Sequence, residues 1–141
     1  MNIKDIMNPN VDMVSASTTL QDAAARMAHD EMGFLLVGDT DQVKGIVTDR
    51  DIVLRALGKG RDLSTTTIND ILTGKLLYCL ESQNVEDVAN YMSEQQVRRM
   101  PVLNEHKRLV GVITIGDTAQ YLNPAMVSQV LSGVTSEIKA A

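Results

Sequence analysis

Apolar residues recur at helical spacing in two places along this chain. Leu20, Ala23, Ala24 and Met27 lie three and four residues apart, and Val85, Val88, Ala89 and Met92 repeat the pattern. Each run opens on a capping residue, Thr19 with Asp22 behind it and Asn84 with Asp87 behind it, which predicts a capped helix start in both places. Ahead of each helix, residues 11–16 and 76–81 form short, mostly apolar stretches suited to a strand. Behind each come two further strand-like runs, 34–37 with 43–48 and 100–103 with 109–114. The polar turns between them, Gly38-Asp39-Thr40-Asp41 and Asn104-Glu105-His106-Lys107, suit hairpin loops. A second helix is predicted from Thr48 to about residue 57, and again from Thr114 to about residue 122.

The two halves are copies. A shift of 65 residues pairs Ile3, Asp5 and Ile6 with Ile68, Asp70 and Ile71, then Ser17 with Ser82, Asp22 with Asp87, Ala24 with Ala89, Met27 with Met92 and Val37 with Val102. After a one-residue slip in the hairpin turn, Gly45, Thr48 and Asp51 pair with Gly111, Thr114 and Asp117. The pattern predicts an α+β fold of two β-α-β-β-α repeats. A unit of this size can hardly bury its faces alone, so the repeats are expected to pack pseudo-symmetrically, sheet to sheet. The expected boundaries are 1–60 for the first repeat, 61–67 for a linker and 68–122 for the second repeat. A C-terminal helix over 123–141 follows, with Asn123 as cap, Pro124 in its first turn and an apolar stripe of Val127, Val130, Leu131 and Val134. That helix is expected to cover an edge of the module or to meet a second subunit.

Composition narrows the function classes. The chain has 141 residues, 44 % hydrophobic and 22 % charged, which is ordinary globular usage and excludes a disordered or fibrous protein. Its apolar runs are only a few residues long, far short of the roughly 20 that a membrane helix needs. Lys4 and Asp5 interrupt the start, no apolar stretch follows, and a cytoplasmic location is expected. A net charge of −5, one Phe, three Tyr and no Trp argue against a nucleic-acid surface. The single cysteine, Cys79, lies between Tyr78 and Leu80 and reads as a small buried hydrophobe; His29 and His106 read as isolated surface residues. Neither histidine has metal-ligand spacing around it, and no nucleophile with a base, Walker loop or dinucleotide fingerprint is visible. The chain reads as a non-enzyme that requires no cofactor.

The most specific stretches are Gly45-Ile46-Val47-Thr48-Asp49-Arg50-Asp51, Gly111-Val112-Ile113-Thr114-Ile115-Gly116-Asp117 and Val97-Arg98-Arg99-Met100-Pro101-Val102. With Lys4-Asp5-Ile6-Met7 and Asn69-Asp70-Ile71-Leu72, they resemble paired CBS domains, the tandem called a Bateman module, and most of all its short, stand-alone bacterial members. The first copy departs at Leu36, where the family usually has proline, and carries Gly33 and Phe34 where the second has Arg98 and Arg99. The resemblance implies a regulatory module binding AMP, ADP, ATP or another adenosyl compound in clefts between the repeats. It implies that Asp51 and Asp117 accept from ribose hydroxyls and that Thr48 and Thr114 help to hold phosphate. It also implies a homodimer associating through helices, with apolar faces expected on helices such as 85–95 and 118–122.

Elementary chemistry is compatible with that assignment. A Thr hydroxyl at a helix start, with unpaired backbone N–H groups beside it, favours an anion, and an Asp one turn on can accept from two hydroxyls. Ile46 and Val112, with Met32 and Val97 nearby, would offer apolar walls to a base. Arg98 and Arg99 point to opposite sides of a strand, so one can serve a phosphate while the other faces solvent or a subunit. Arg50, a cation in a helix's first turn, suggests an anion contact or an ion pair with Asp49 or Asp51. Thr-x-x-Asp is equally a capping box, stabilising by about 1 kcal/mol without any ligand. The competing reading is therefore a ligand-free dimerisation module. Regulation would need a separate, unidentified protein partner, because no output domain is visible in these residues.

Overall fold

The computed structural model describes residues 1–40 and 42–140. Asp41, expected in the first hairpin turn, and Ala141, expected in the C-terminal helix, lie outside the described residues. After a short 3-10 turn at Ile3–Asp5, the first copy contains β1 (Met13–Val14), α1 (Leu20–Asp30), β2 (Phe34–Asp39), β3 (Gln42–Thr48) and α2 (Asp49–Arg55). A 3-10 turn at Leu57–Lys59 and the short α3 (Ile68–Ile71) follow. The second copy contains β4 (Cys79–Leu80), α4 (Val85–Gln95), β5 (Arg99–Leu103), β6 (Leu109–Thr114) and α5 (Ile115–Ala119), and α6 (Pro124–Ala140) ends the chain. The predicted order of elements is present in both copies. The leading strands shrink to two residues each, and the second helices end earlier than their apolar pattern suggested.

Each copy forms a three-stranded sheet in chain order, its first two strands parallel and its last two antiparallel. The parallel pair needs a crossover, which α1 and α4 supply. Alternation sends Leu35, Val37 and Val47 into a core with Leu20, Ala23, Met27 and Ile52. Met100, Val102 and Ile113 do the same beneath Val85, Val88 and Met92. Leu36 and Pro101 are buried between these inward positions, so the missing proline of the first copy is replaced by another buried apolar side chain. Both ladders slip register at equivalent points, between Val37 and Gly38 and between Val102 and Leu103.

The helix starts follow their sequence signals with one variation. Thr19 Oγ1 accepts from the Asp22 N–H at 3.2 Å, whereas Asn84 Oδ1 accepts from Glu86 N–H at 2.8 Å. Both helices end on a left-handed residue, Glu31 (φ 54°) and Gln96 (φ 58°), which lets the chain turn at once into the next strand.

The sequence copies and the compact units are composed differently. One unit is Asp12–Leu76; the other joins Met1–Val11 to Leu77–Ala141. Ile3, fully buried, packs with Cys79, Val85, Val88 and Ile113. The N–H groups of Ile3 and Lys4 donate to Gln83 O and Glu81 O, both at 2.9 Å, and Asn8 exchanges two 3.0 Å backbone bonds with Val112. In the other unit Ile68 fills the corresponding place: its N–H donates to Thr18 O, and Asn69 N–H to Ala16 O, both at 2.9 Å. Each copy's leading segment is thus built into the core that contains the other copy's sheet. The stretch expected as a linker is tied down too, with Leu63 O and Thr66 O accepting from Gln21 and Leu20 N–H.

Helix α6 begins as its Asn-Pro start predicts, with Asn123 Oδ1 accepting from Met126 N–H at 2.9 Å. It lays Val130 and Val134 against Ala89 of α4, and a Cβ at Gly133 would collide with Ser93. This corrects one expectation. The apolar positions of residues 85–95 are buried in the core and beneath the chain's own C-terminal helix, and of residues 118–122 only Tyr121 leaves a large apolar surface exposed.

Candidate functional site

The candidate threonines stand where a strand turns directly into a helix. Thr48 ends β3 and caps α2; Thr114 ends β6 and caps α5. In both places the Thr hydroxyl accepts from the Asp N–H at 3.1 Å, and Asp Oδ2 accepts from the Thr N–H at 3.0 Å, for Asp51 with Thr48 and for Asp117 with Thr114. Two helix donors are satisfied by this exchange. A third is closed from the neighbouring strand, because Asp49 N–H donates to Gly33 O at 2.9 Å and Ile115 N–H to Arg98 O at 2.8 Å. Arg50 N–H finds Asp49 Oδ1 at 2.8 Å. The helix starts therefore hold few of the unpaired amides that the sequence led one to expect. What remains for chemistry are the Thr hydroxyl protons and the second carboxylate oxygens.

Those oxygens differ. Asp51 Oδ1 faces Arg55 Nε at 3.9 Å, one helical turn on. Asp117 Oδ1 has no partner among the described residues, and the residue one turn on is Tyr121. Arg55 is a neighbour of the candidate carboxylate that the sequence reading passed over, although its i,i+4 spacing from Asp51 was the available signal. Arg50, offered as the ion-pair candidate, makes no side-chain ion pair with Asp49 or Asp51 among the described residues.

The antiparallel ladders place the other candidates. Ile46 lies two residues before Thr48 and opposite Leu36; Val112 lies two before Thr114 and opposite Pro101. Both belong to the sheet face away from the helix-covered core. Arg99 pairs with Thr114 across the ladder, so their side chains share that face, while Phe34 holds the equivalent place opposite Thr48. Arg98 is exposed one residue earlier and contributes its carbonyl to α5. Val97 packs against the core cluster beneath α4, and Met32 is exposed at the entry to β2. The structure thus gathers Thr114, Asp117, Val112 and Arg99 in one unit and Thr48, Asp51 and Ile46 in the other.

The remaining candidates stay apart from these turns. Cys79 is buried, its Sγ donating to Pro101 O at 3.9 Å, and burial pushes the thiol up to about 12. His29 and His106 are exposed, their rings beside Asp30 and Glu105. Arg26 links Asp12 and Asp30 at 2.7 and 2.6 Å; these contacts raise the guanidinium above its usual range, and the His29 and Arg26 hydrogen bonds hold the Asp30 carboxyl below its own. Among the described residues no three His, Cys, Asp or Glu side chains come together to hold a metal, and no helix is long and apolar enough to cross a membrane.

Comparison with known proteins adds four findings. The sequence model of the CBS domain matches residues 3–58 and 68–123. Hypoxic response protein 1 of Mycobacterium tuberculosis is 37 % identical over 139 residues, spanning 98 % of this chain and 96 % of that protein. A crystal structure of Hypoxic Response Protein I with two coordinated zinc ions superposes with a TM-score of 0.78 at 39 % identity, over 86 % of this chain and 99 % of the other. A crystal structure of CBSX2 in complex with AMP matches with a TM-score of 0.71 at 26 % identity, over 85 % and 94 %.

Proposed function

The chain belongs to the CBS domain family, and from that premise we propose that it is a non-catalytic regulatory module that binds an adenine nucleotide or another adenosyl compound. The observation that carries this reading is the doubled Thr–Asp turn with hydrogen-bonding capacity left over, in a fold whose AMP-bound neighbour shares 26 % of its residues. A ribose presents two adjacent hydroxyl donors, and Asp51 and Asp117 offer it carboxylate acceptors. Thr48 and Thr114 use their oxygens as acceptors toward the helix, so each hydroxyl proton is left to donate to a phosphate oxygen. Arg99 beside Thr114 supplies the cation that an acidic protein needs to hold phosphate, while Arg98 serves the surface. Ile46 and Val112 face the base, with Met32 at the margin.

Binding to the native form alone raises stability with ligand concentration, by about 2.7 kcal/mol at a hundredfold excess over Kd. The test is a thermal-shift series with AMP, ADP and ATP on the wild type and on the Asp51→Ala/Asp117→Ala double variant. The melting temperature of the wild type should climb with nucleotide while that of the double variant stays flat. No shift with any of the three, or equal shifts in both proteins, would refute the reading.

One observation favours a second role beside the first. Val53, Leu54 and Leu57 are each at least half exposed on the outer side of α2 and the turn after it, with Asp49 and Arg50 at their edge. A helix stripe of this kind suits self-association, and we assign the homodimer contact to it. The ligand-free dimerisation module is this role alone. Sedimentation that finds only particles of 15.4 kDa would exclude it. Regulation in a cytoplasmic setting would then act on a separate protein partner.

A further inference from the structure

We propose that Arg55 ranks the two adenosyl sites by occupying the carboxylate of Asp51, so that the Asp117 site fills first. This rests on the ligand-binding reading above. Both aspartates give Oδ2 to the cap threonine's N–H, which leaves Oδ1 as the less committed acceptor for a ribose. In the unit of residues 12–76 that oxygen faces the Arg55 guanidinium. Arg55 is itself held, since its Nη1 donates at 2.9 Å to Ile71 O, a carbonyl left without a helical partner at the end of α3. The guanidinium therefore stays beside Asp51 instead of swinging into solvent. A ribose hydroxyl approaching Asp51 has to compete with a fixed cation for one oxygen, and the cation draws down the acceptor strength of the carboxylate. In the other unit the residue four positions after the aspartate is Tyr121, in the turn that follows α5, and Asp117 Oδ1 has no partner among the described residues.

The pair is long and both side chains are partly exposed (44 % and 31 %), so its effect is that of a surface ion pair. This corresponds to about a two- to fivefold difference in affinity. Thr and Asp match in both copies, and the sequence already sets the two apart by Arg98 and Arg99 against Gly33 and Phe34; Arg55 adds a second difference, one turn beyond the shared motif.

Calorimetry with adenosine tests the ranking, because adenosine carries the ribose but no charge for Arg55 to attract. Asp117→Ala should remove the tighter site and Asp51→Ala the weaker one. In the Asp117→Ala background, Arg55→Gln should tighten the remaining site two- to fivefold, a gain that mere loss of the Ile71 contact would not produce. Tyr121→Arg, in an otherwise wild-type chain, should weaken the tighter site by a similar factor. If Asp51→Ala removes the tighter site, or Arg55→Gln leaves the weaker one unchanged or weaker still, the ranking is wrong while the binding reading stands. Failure of adenosine, AMP, ADP and ATP to bind the wild type at all would overturn both.

Discussion

Replacing Ile3 with alanine interrogates the exchange of leading segments directly. Ile3 is fully buried and belongs by sequence to the first copy, yet it packs with Cys79, Val85, Val88 and Ile113 of the second. The substitution removes three carbons, a transfer loss of about 2.4 kcal/mol at roughly 0.8 per methylene, to which the residual cavity adds. The expected cost is about 2–5 kcal/mol, borne by the unit that joins residues 1–11 to 77–141. Hydrogen exchange read by mass spectrometry localises it. Amides of β5, β6 and α4 should exchange at least roughly 30-fold faster, at about 1.4 kcal/mol per factor of ten, while β2, β3 and α1 keep their protection. Ile68→Ala is the mirror experiment, with the loss falling on residues 12–76, because Ile68 is equally buried in that core. Protection lost from β2 and β3 on changing Ile3, or lost equally everywhere, would refute the exchanged arrangement.

Two further outcomes follow from close contacts and from burial. A Cβ at Gly111 would lie 2.6 Å from Met7 Sδ and 2.9 Å from Asn8 O, whereas one at Gly45 would meet Leu72 Cδ1 at 3.2 Å. Gly111→Ala should therefore cost about 1–3 kcal/mol in urea unfolding and Gly45→Ala clearly less, because a side-chain methyl can yield where the backbone of Asn8 cannot; equal costs would contradict the tight seat of residues 7–8 on β6. The Cys79 thiol, held protonated to about 12 against an ordinary 9.0, stabilises the fold fully below pH 9. Above it the unfolded chain releases its proton first, so stability falls as pH rises from about 9 toward 12. Urea midpoints between pH 8 and 10.5 should decline less steeply in Cys79→Ala than in the wild type, and parallel slopes would show that the thiol is not shielded.

The order of elements, the helix caps and the duplicated Thr–Asp turns were legible in the sequence because each depends on residues within a turn or two of one another. Helical spacing in Leu20 to Met27, short apolar runs in β2 and β5, and Thr-x-x-Asp at Thr48 and Thr114 are local signals, and local backbone preferences respond to them wherever the segment lies in space. Even Asn123-Pro124 announced the start of α6.

Packing decided the rest. In a duplicated chain Ile3 and Ile68 carry the same apolar side chain in the same motif, so pattern alone cannot say which core each fills; only the completed set of contacts distinguishes them. The same holds for Arg55, whose meaning comes from Ile71 O, sixteen residues away in sequence and one hydrogen bond away in space. Helix α6 likewise showed an apolar stripe without showing that Ala89 and Ser93 would lie under it. Short-range chemistry specified the pieces of this protein, and long-range burial, which acts on surface area without regard to sequence order, chose their partners.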